Sequence, residues 1–428
     1  MHIHLTTLGC RLNEAEAERW GREFQARGHQ IARRLEEADV VVINTCAVTS
    51  EAVKKSRKLM HRAHHRNPRA KLVVSGCNAS LDPAGSAQAD GVDLVVDNRD
   101  KEHLVEIAER ELDLCAMPAL ATMPGAPTLL ARGRQRAFVK IQDGCRYQCT
   151  FCIVTVARGA ERSRPAAEIV DEINALHAQG IQEAVLTGVH LGGYGSDHGG
   201  SLSALIERLL EQTRIPRLRL GALEPWDLPP GFWRLFNDPR LMPHLHLPLQ
   251  SGADTVLRRM GRRVKSAQFE ALAGRARETD PDFTLTTDII VGFPGESDRE
   301  WSQTLALVER VGFAHLHIFA YSPRPGTRAA TLPAPLPREL IRARSEQLHR
   351  LGERLQRQEL ERFIGHEFPV LIEGDDHALA PILSGYTPNF LRVRLGEGAP
   401  HLINTIRNIR LEGLAEDGCA LRATLIEE

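Results

Sequence analysis

No stretch of this 428-residue chain approaches the ~20 consecutive apolar residues that a membrane-crossing helix needs. The longest apolar runs, such as Val40–Ile43 and Asp288–Phe293, are strand-sized, so no membrane partner is expected. The opening residues, Met1 to Thr7, lack a basic segment followed by an apolar one, so no signal peptide is read and the expected location is the cytoplasm. Net charge is also scarce, at −1. Any nucleic-acid site must therefore be a local patch rather than a global field. Neither an internal repeat nor a low-complexity tract is visible. What remains, 42% apolar and 25% charged residues, is the profile of a globular chain long enough for two or three domains.

Residues 1–110 alternate strand and helix patterns. Strands are expected at Ile3–Leu8, Asp39–Asn44, Lys71–Ser75 and Val92–Asp97, with helices at Asn13–Arg27, Thr49–Arg66 and Lys101–Glu111. That order predicts a parallel sheet covered by helices. Pro118–Gly133, rich in Pro, Gly, Ala and Thr without periodicity, reads as a linker. A second series places strands at Ala137–Gln142, Glu183–Gly188, Arg217–Ala222, His244–Leu249, Leu285–Val291 and His315–Tyr321. Six parallel strands suggest a partial (β/α)6 barrel with its chemistry at the strands' C-terminal ends. A charged helix, Pro337–Arg362, follows, and then short β pieces at Phe368–Glu373, Asn389–Leu395, Leu402–Leu411 and Ala420–Ile426 suit a small all-β barrel. The expected class is α/β, with domains at 1–117, 134–364 and 365–428 and a linker at 118–133.

In a reducing compartment, eight cysteines are read for metal or redox chemistry rather than for disulfides. Cys145, Cys149 and Cys152 follow the first barrel strand directly with C-x3-C-x2-C spacing. Three thiolates on one short loop can hold three irons of a [4Fe–4S] cluster and leave the fourth iron to a ligand. A zinc site would need a fourth Cys or His nearby, and the loop has none. Cys10, Cys46 and Cys77 close three successive N-terminal strands. Singly, each reads as a small buried hydrophobe; on the C-terminal edge of one parallel sheet they converge as a second cluster's ligands. Cys115 and Cys419 have no such company.

These motifs, Gly9-Cys10-Arg11-Leu12-Asn13, Asn44-Thr45-Cys46, Ser75-Gly76-Cys77 and the Cys145/Cys149/Cys152 loop with Phe151 before its last cysteine, resemble the radical S-adenosylmethionine (AdoMet) methylthiotransferase family over essentially the whole chain. Within it, Val48–Arg57 and Phe138–Cys145 are most similar to the branch acting on N6-threonylcarbamoyladenosine in tRNA. Thr155-Val156 departs from the family's usual proline and aromatic. The resemblance implies two [4Fe–4S] clusters, AdoMet, a C-terminal RNA-binding barrel of the TRAM type, a tRNA substrate and a reducing electron donor that the sequence does not specify. It also implies the reaction: one AdoMet methylates sulfur attached to the N-terminal cluster. Another yields the radical that removes hydrogen from C2 of the adenine beside the anticodon.

For AdoMet, the candidates are Phe151, Gly188, Glu224, Gln250 and Ile290, against the plainer reading of strand-end turn residues. Gly188 would accept the amino group, Glu224 and Gln250 would bond the ribose or sulfonium end, and Ile290 would wall the adenine. His190, His244 and His246 read as structural. For RNA, Lys54 to Lys71 hold eight Lys/Arg and no acid, so Lys54, Lys55, Arg57, Lys58 and Arg62 are candidate phosphate contacts rather than only a solvated helix face. Residues 366–428 carry five Arg against ten Asp/Glu. Arg392 and Arg394 share a strand face there, yet an acidic barrel also suits a basic protein partner. Two rival readings follow: the same chemistry on a ribosomal protein or on isopentenyladenosine tRNA, and a non-catalytic iron–sulfur RNA-binding or redox-sensing protein. The sequence specifies no oligomeric state.

Overall fold

The computed structural model describes residues 1–114, 135–229, 231–374 and 382–426. The expected linker Pro118–Gly133 and Cys115 lie outside them. The chain opens with β1 (His2–Thr7), α1 (Arg11–Ala26), β2 (Gln30–Ile31), β3 (Val40–Thr45), α2 (Ser50–Arg66), β4 (Lys71–Gly76), α3 (Cys77–Leu81), α4 (Pro83–Ala87), β5 (Val92–Val96) and α5 (Leu104–Glu111). The strands form one parallel sheet in the order β2-β1-β3-β4-β5. Both faces of β3 are covered, which is why Val40–Ile43 is apolar without alternation. Trp20 and Phe24 of α1 fill one face with Val40, Val42 and Val73. Leu59, Met60 and Ala63 of α2 fill the other with Val41, Ile43 and Val74. The two-residue strand β2 escaped the sequence pattern because it is too short to show a period.

The second unit runs β6 (Arg136–Lys140), β7 (Gln142–Asp143), α6 (Val154–Arg158), β8 (Arg162–Ser163), α7 (Ala166–Ala178), β9 (Glu183–Thr187), α8 (Leu202–Gln212), β10 (Arg217–Leu220), β11 (His244–His246), α9 (Asp254–Arg259), α10 (Ser266–Thr279), β12 (Thr284–Val291), α11 (Asp298–Val311), β13 (His315–Ala320) and α12 (Arg338–Arg362). Its strands make two parallel three-stranded sheets, β6-β9-β10 and β11-β12-β13. Isolated parallel bridges, Leu218 to Leu241 and Ala222 to His246, join them into one curved six-stranded array. Apolar residues such as Leu218, Leu245, Leu285, Ile289 and Leu316 face the helices. The alternate residues face the inside of the curve. β11 stops at His246, shorter than expected.

The last five strands, β14 (Glu367–Glu373), β15 (Ile382–Tyr386), β16 (Arg392–Glu397), β17 (Ile406–Leu414) and β18 (Leu421–Leu425), close a barrel in the order β14-β15-β16-β18-β17. β15 was not foreseen. The segment after it, Tyr386–Phe390, caps the N-terminal ends of the curved array. Arg217, at the start of β10, donates to the carbonyls of Tyr386 (3.1 Å) and Thr387 (3.0 Å). Phe390 stacks on His244 at 4.6 Å and on Tyr386 at 4.6 Å. Glu183, buried at the start of β9, pairs with Arg217 (2.8 Å) and Arg219 (2.9 Å). His244 is thus a packed, buried residue, as its sequence reading had it.

Candidate iron–sulfur and AdoMet site

The Cys145–Cys152 loop leaves β7 and is pinned at both ends by backbone bonds. The Cys145 N–H donates to Gly159 O (3.1 Å), and the Thr150 N–H to Met260 O (2.8 Å). Burial pushes the Cys145 thiol up to about 12, with the Cys152 and Cys149 thiols adding to the effect. Burial likewise raises Cys152 to about 11, with Cys149 contributing. Three thiols that oppose one another's ionisation in this way are the donor set a cationic cluster relieves, so the residues present fit a [4Fe–4S] group.

A Cys145, Glu161 and His190 grouping is also close enough to suggest a metal. Both His190 nitrogens are already engaged, however, Nδ1 by Glu161 (2.5 Å) and Nε2 by Asp227 (2.6 Å). Burial alone would lower His190; the hydrogen bonds to Asp227 and Glu161 outweigh it and raise the imidazole. Asp227 also accepts from Tyr147 Oη at 2.6 Å. His190 therefore braces the loop rather than ligating, in line with its structural reading.

The five AdoMet candidates gather at the same end. Phe151 and Ile290 pack on one apolar cluster with Phe293 and Met260. Gln250 is buried with φ +73, a left-handed backbone that is strained for a side-chain-bearing residue. Its N–H donates to Asp288 O (2.8 Å), and its carbonyl accepts from Ile290 N (3.0 Å), which holds the end of β11's extension against β12. Glu224 pairs with Arg262 at 2.7 Å. Arg262 lies 4.4 Å over the Trp226 ring. Burial raises the Cys149 thiol, and the Arg262 guanidinium opposes that rise while Glu224 adds to it, so this pair sits beside the loop cysteines. Gly188 follows β9 against Gln142, whose Oε1 accepts the His190 N–H at 2.8 Å.

Cys10, Cys46 and Cys77 converge as the parallel sheet predicts. Burial pushes the Cys46 thiol up to about 11, with Cys10 and Cys77 contributing. Gly9 has φ +108, and a Cβ there would lie 2.7 Å from Cys46 Sγ, so the chain reaches the second cysteine only through glycine. The Asn13 carboxamide donates to Leu8 O (2.7 Å) and Thr45 O (3.1 Å), which ties the turns after β1 and β3 together.

Sequence reasoning missed what joins the two units that carry the triads. Arg158, at the end of α6 and 3% exposed, donates its Nε–H to Cys77 Sγ at 3.3 Å. Its other nitrogens bond Glu16 (2.9 Å), Asp143 (3.0 Å) and Asn13 (2.8 Å). Lys101 reaches Glu16 at 2.5 Å, and Lys140 reaches Asp143 at 3.0 Å. This buried set spans the boundary between the first sheet's unit and the curved array. Against burial, the Arg158, Lys101 and Lys140 charges hold Glu16 well below the usual carboxylate range. The available signal was position: Asp143 stands two residues before Cys145, and Arg158 six after Cys152.

The basic candidates stay on the surface. Lys54, Lys55, Arg57, Lys58 and Arg62 are exposed on α2. The stretch is acid-free only along the chain. Asp82 faces Arg57 (3.4 Å), Glu36 faces Arg66 (3.8 Å) and Asp93 faces Lys71 (2.9 Å), so acids of other elements approach part of the run. Arg392 and Arg394 flank buried Val393 on one face, with Arg394 paired to Asp417. Cys419 is exposed and apart from both triads.

Comparison with known proteins agrees with this architecture. Family profiles match residues 2–97 ("Uncharacterized protein family UPF0004") and 139–308 (Radical SAM superfamily). A threonylcarbamoyladenosine tRNA methylthiotransferase of Thermotoga maritima is 34% identical over 99% of this chain and 98% of its own length. One from Chlamydia pneumoniae is 34% identical over 97% and 96%. A tRNA-2-methylthio-N6-dimethylallyladenosine synthase of Thermobifida fusca is 35% identical over 86% and 77%. Among solved structures, the radical AdoMet methyltransferase TsrM of Kitasatospora setae superposes with TM-score 0.58 at 16% identity, covering 77% of each chain. With near-full-length relatives of this kind, and a cysteine triad in each of the two matched regions, the chain belongs to the radical AdoMet tRNA methylthiotransferase family.

Proposed function

We propose that this enzyme places a methylthio group on C2 of N6-threonylcarbamoyladenosine beside the tRNA anticodon, with Cys145, Cys149 and Cys152 holding the radical cluster and Cys10, Cys46 and Cys77 a second, sulfur-bearing one. The observation that carries the reading is the Arg158 bridge. It bonds Cys77 of the first unit and Asp143, two residues before Cys145, of the second, which suits a reaction needing both a radical and a sulfur donor. When bound, AdoMet and the two clusters supply a carbon radical able to break an unactivated C–H bond and the sulfur that replaces the hydrogen. The chain's own residues do the positioning. Phe151 and Ile290 offer an apolar wall for the adenine, Glu224 and Gln250 polar contacts for the ribose or sulfonium, and Gly188 a close backbone approach for the amino group. Lys54, Lys55, Arg57, Lys58 and Arg62, with Arg392 and Arg394, are proposed to meet RNA phosphates.

Mass spectrometry of tRNA nucleosides from cells with and without the protein tests this reading. The 2-methylthio derivative of N6-threonylcarbamoyladenosine should vanish in the deletion strain and return on complementation. An unchanged nucleoside profile, or loss of the dimethylallyl derivative instead, would overturn it.

A further inference from the structure

The inside of the curved array carries polar chemistry outside the residues assigned above to the clusters and AdoMet. On β12, Leu285, Ile289 and Val291 face the helices, so Asp288 faces inward. On β13, Leu316 does the same, so His315, His317 and Phe319 face inward. Asp288 and His317 are register partners on neighbouring strands. His246 of β11 completes the group: its Nε2 lies 3.1 Å from Asp288 Oδ1, and its Nδ1 is 2.9 Å from Thr286 Oγ1. The His246 and His317 rings meet edge to face at 5.4 Å. His315 is engaged by Gln356, whereas His317 makes no hydrogen bond among the described residues and is exposed. Across the cleft stands Arg11, the residue after Cys10. Its guanidinium lies 4.9 Å over the Phe138 ring of β6, and its charge is felt by His317. Phe319, two residues beyond His317 on the same face and paired in register with Ile290, is 46% exposed.

We infer that this face is the binding site for the target nucleoside, and that Arg11, His317 and Asp288 recognise a carboxylate-bearing N6 substituent while Phe319 stacks on the base. The inference rests on the function proposed above and names what selects that substrate. A threonylcarbamoyl group presents a carboxylate for the Arg11 guanidinium and the His317 N–H, and a hydroxyl and ureido N–H for Asp288 to accept. A dimethylallyl group presents neither, and would leave three polar groups desolvated without partners. Asp288 and Thr286 orient His246, which in turn supports the His317 ring. An exposed aromatic beside a polar cleft is the usual platform for an unstacked base. The position also suits the chemistry: Ile290, beside Phe319, belongs to the proposed AdoMet pocket, and Arg11 adjoins the second triad.

The test measures binding of anticodon stem-loop RNA to the reconstituted full-length enzyme. Three RNAs are compared: one with N6-threonylcarbamoyladenosine, one with its carboxylate blocked as the methyl ester, and one with N6-dimethylallyladenosine. Wild type should bind the acid about tenfold or more tightly than the ester, since a hydrogen bond to a charged group is at stake. His317→Leu should narrow that ratio severalfold, and His317→Leu combined with Arg11→Leu should bring it to within about twofold, through loss of acid affinity more than of ester affinity. The ester comparison in wild type needs no variant, so misfolding cannot mimic the result. Equal binding of acid and ester by wild type overturns the site. So does a variant that weakens both equally, or a preference that a chelator abolishes, which would make the group a cation site. Methylthiolation is scored separately: tight, selective binding without product sinks the proposed function and leaves the site standing, and product without selectivity does the reverse.

Discussion

Arg158 Nε donates to Cys77 Sγ across the boundary between the two units that carry the cysteine triads, at 3.3 Å. A cation bonded to a ligating sulfur stabilises the more negative, reduced state of a cluster and raises its potential. Arg158→Met should therefore lower the potential of the cluster on Cys10, Cys46 and Cys77, followed by EPR-monitored redox titration, with Arg158→Lys intermediate. It should also destabilise the protein by about 3–5 kcal/mol, because Glu16 and Asp143 lose a buried partner. An unshifted potential would show that Arg158 serves packing alone.

Anaerobic reconstitution should load about eight irons per chain, and Ala at Cys145, Cys149 and Cys152 together should leave about half. The reverse variant, Ala at Cys10, Cys46 and Cys77, should still release 5′-deoxyadenosine under reducing conditions but form no methylthio product. Normal product from that variant would return the three N-terminal cysteines to a packing role.

Gly9→Ala should act on one cluster only. The new methyl group would press on Cys46 Sγ from a backbone with φ +108, while the Cys145 loop lies on another unit. Iron should fall by about half with 5′-deoxyadenosine release retained. Loss of all iron from a folded variant would contradict the independence of the two sites.

Much of this organisation was legible in the chain. Parallel strands carry their C-terminal ends to one edge, so cysteines spaced far apart as Cys10, Cys46 and Cys77 could be read as neighbours. Charge was harder to place. Nothing in the sequence marks Lys101, Lys140 and Arg158 as buried, since lysine and arginine are usually exposed; only long-range pairing with Glu16 and Asp143 sustains their burial. Around the basic run on α2, the approach of Asp82, Glu36 and Asp93 from other elements is likewise invisible along the chain. Gln250's left-handed backbone has no signature in composition or period.

Acid should loosen the C-terminal barrel through Glu183. Despite burial, the Arg219 and Arg217 guanidinium groups hold its carboxyl down to about 2. A depressed carboxylate stabilises the fold fully above its unfolded value, and that contribution fades as pH falls from there toward 2. In cluster-free protein, protease cleavage before β14 should accelerate across that window. Glu183→Gln should cleave readily at neutral pH and lose the acid dependence. A pH-independent cleavage rate in wild type would dissociate Glu183 from the docking of the barrel.

The buried charges around Arg158 have a consequence for motion between the two units. Swinging the first unit away from the curved array would bare Glu16, Lys101, Lys140, Asp143 and Arg158 together, each far from water in the closed form. Such a motion would have to break the Arg158–Glu16, Lys140–Glu16 and Lys101–Asp143 pairs together. The two units therefore meet over a seam of buried, mutually paired charge, whereas His317 and Phe319 stand exposed along the edge strand β13.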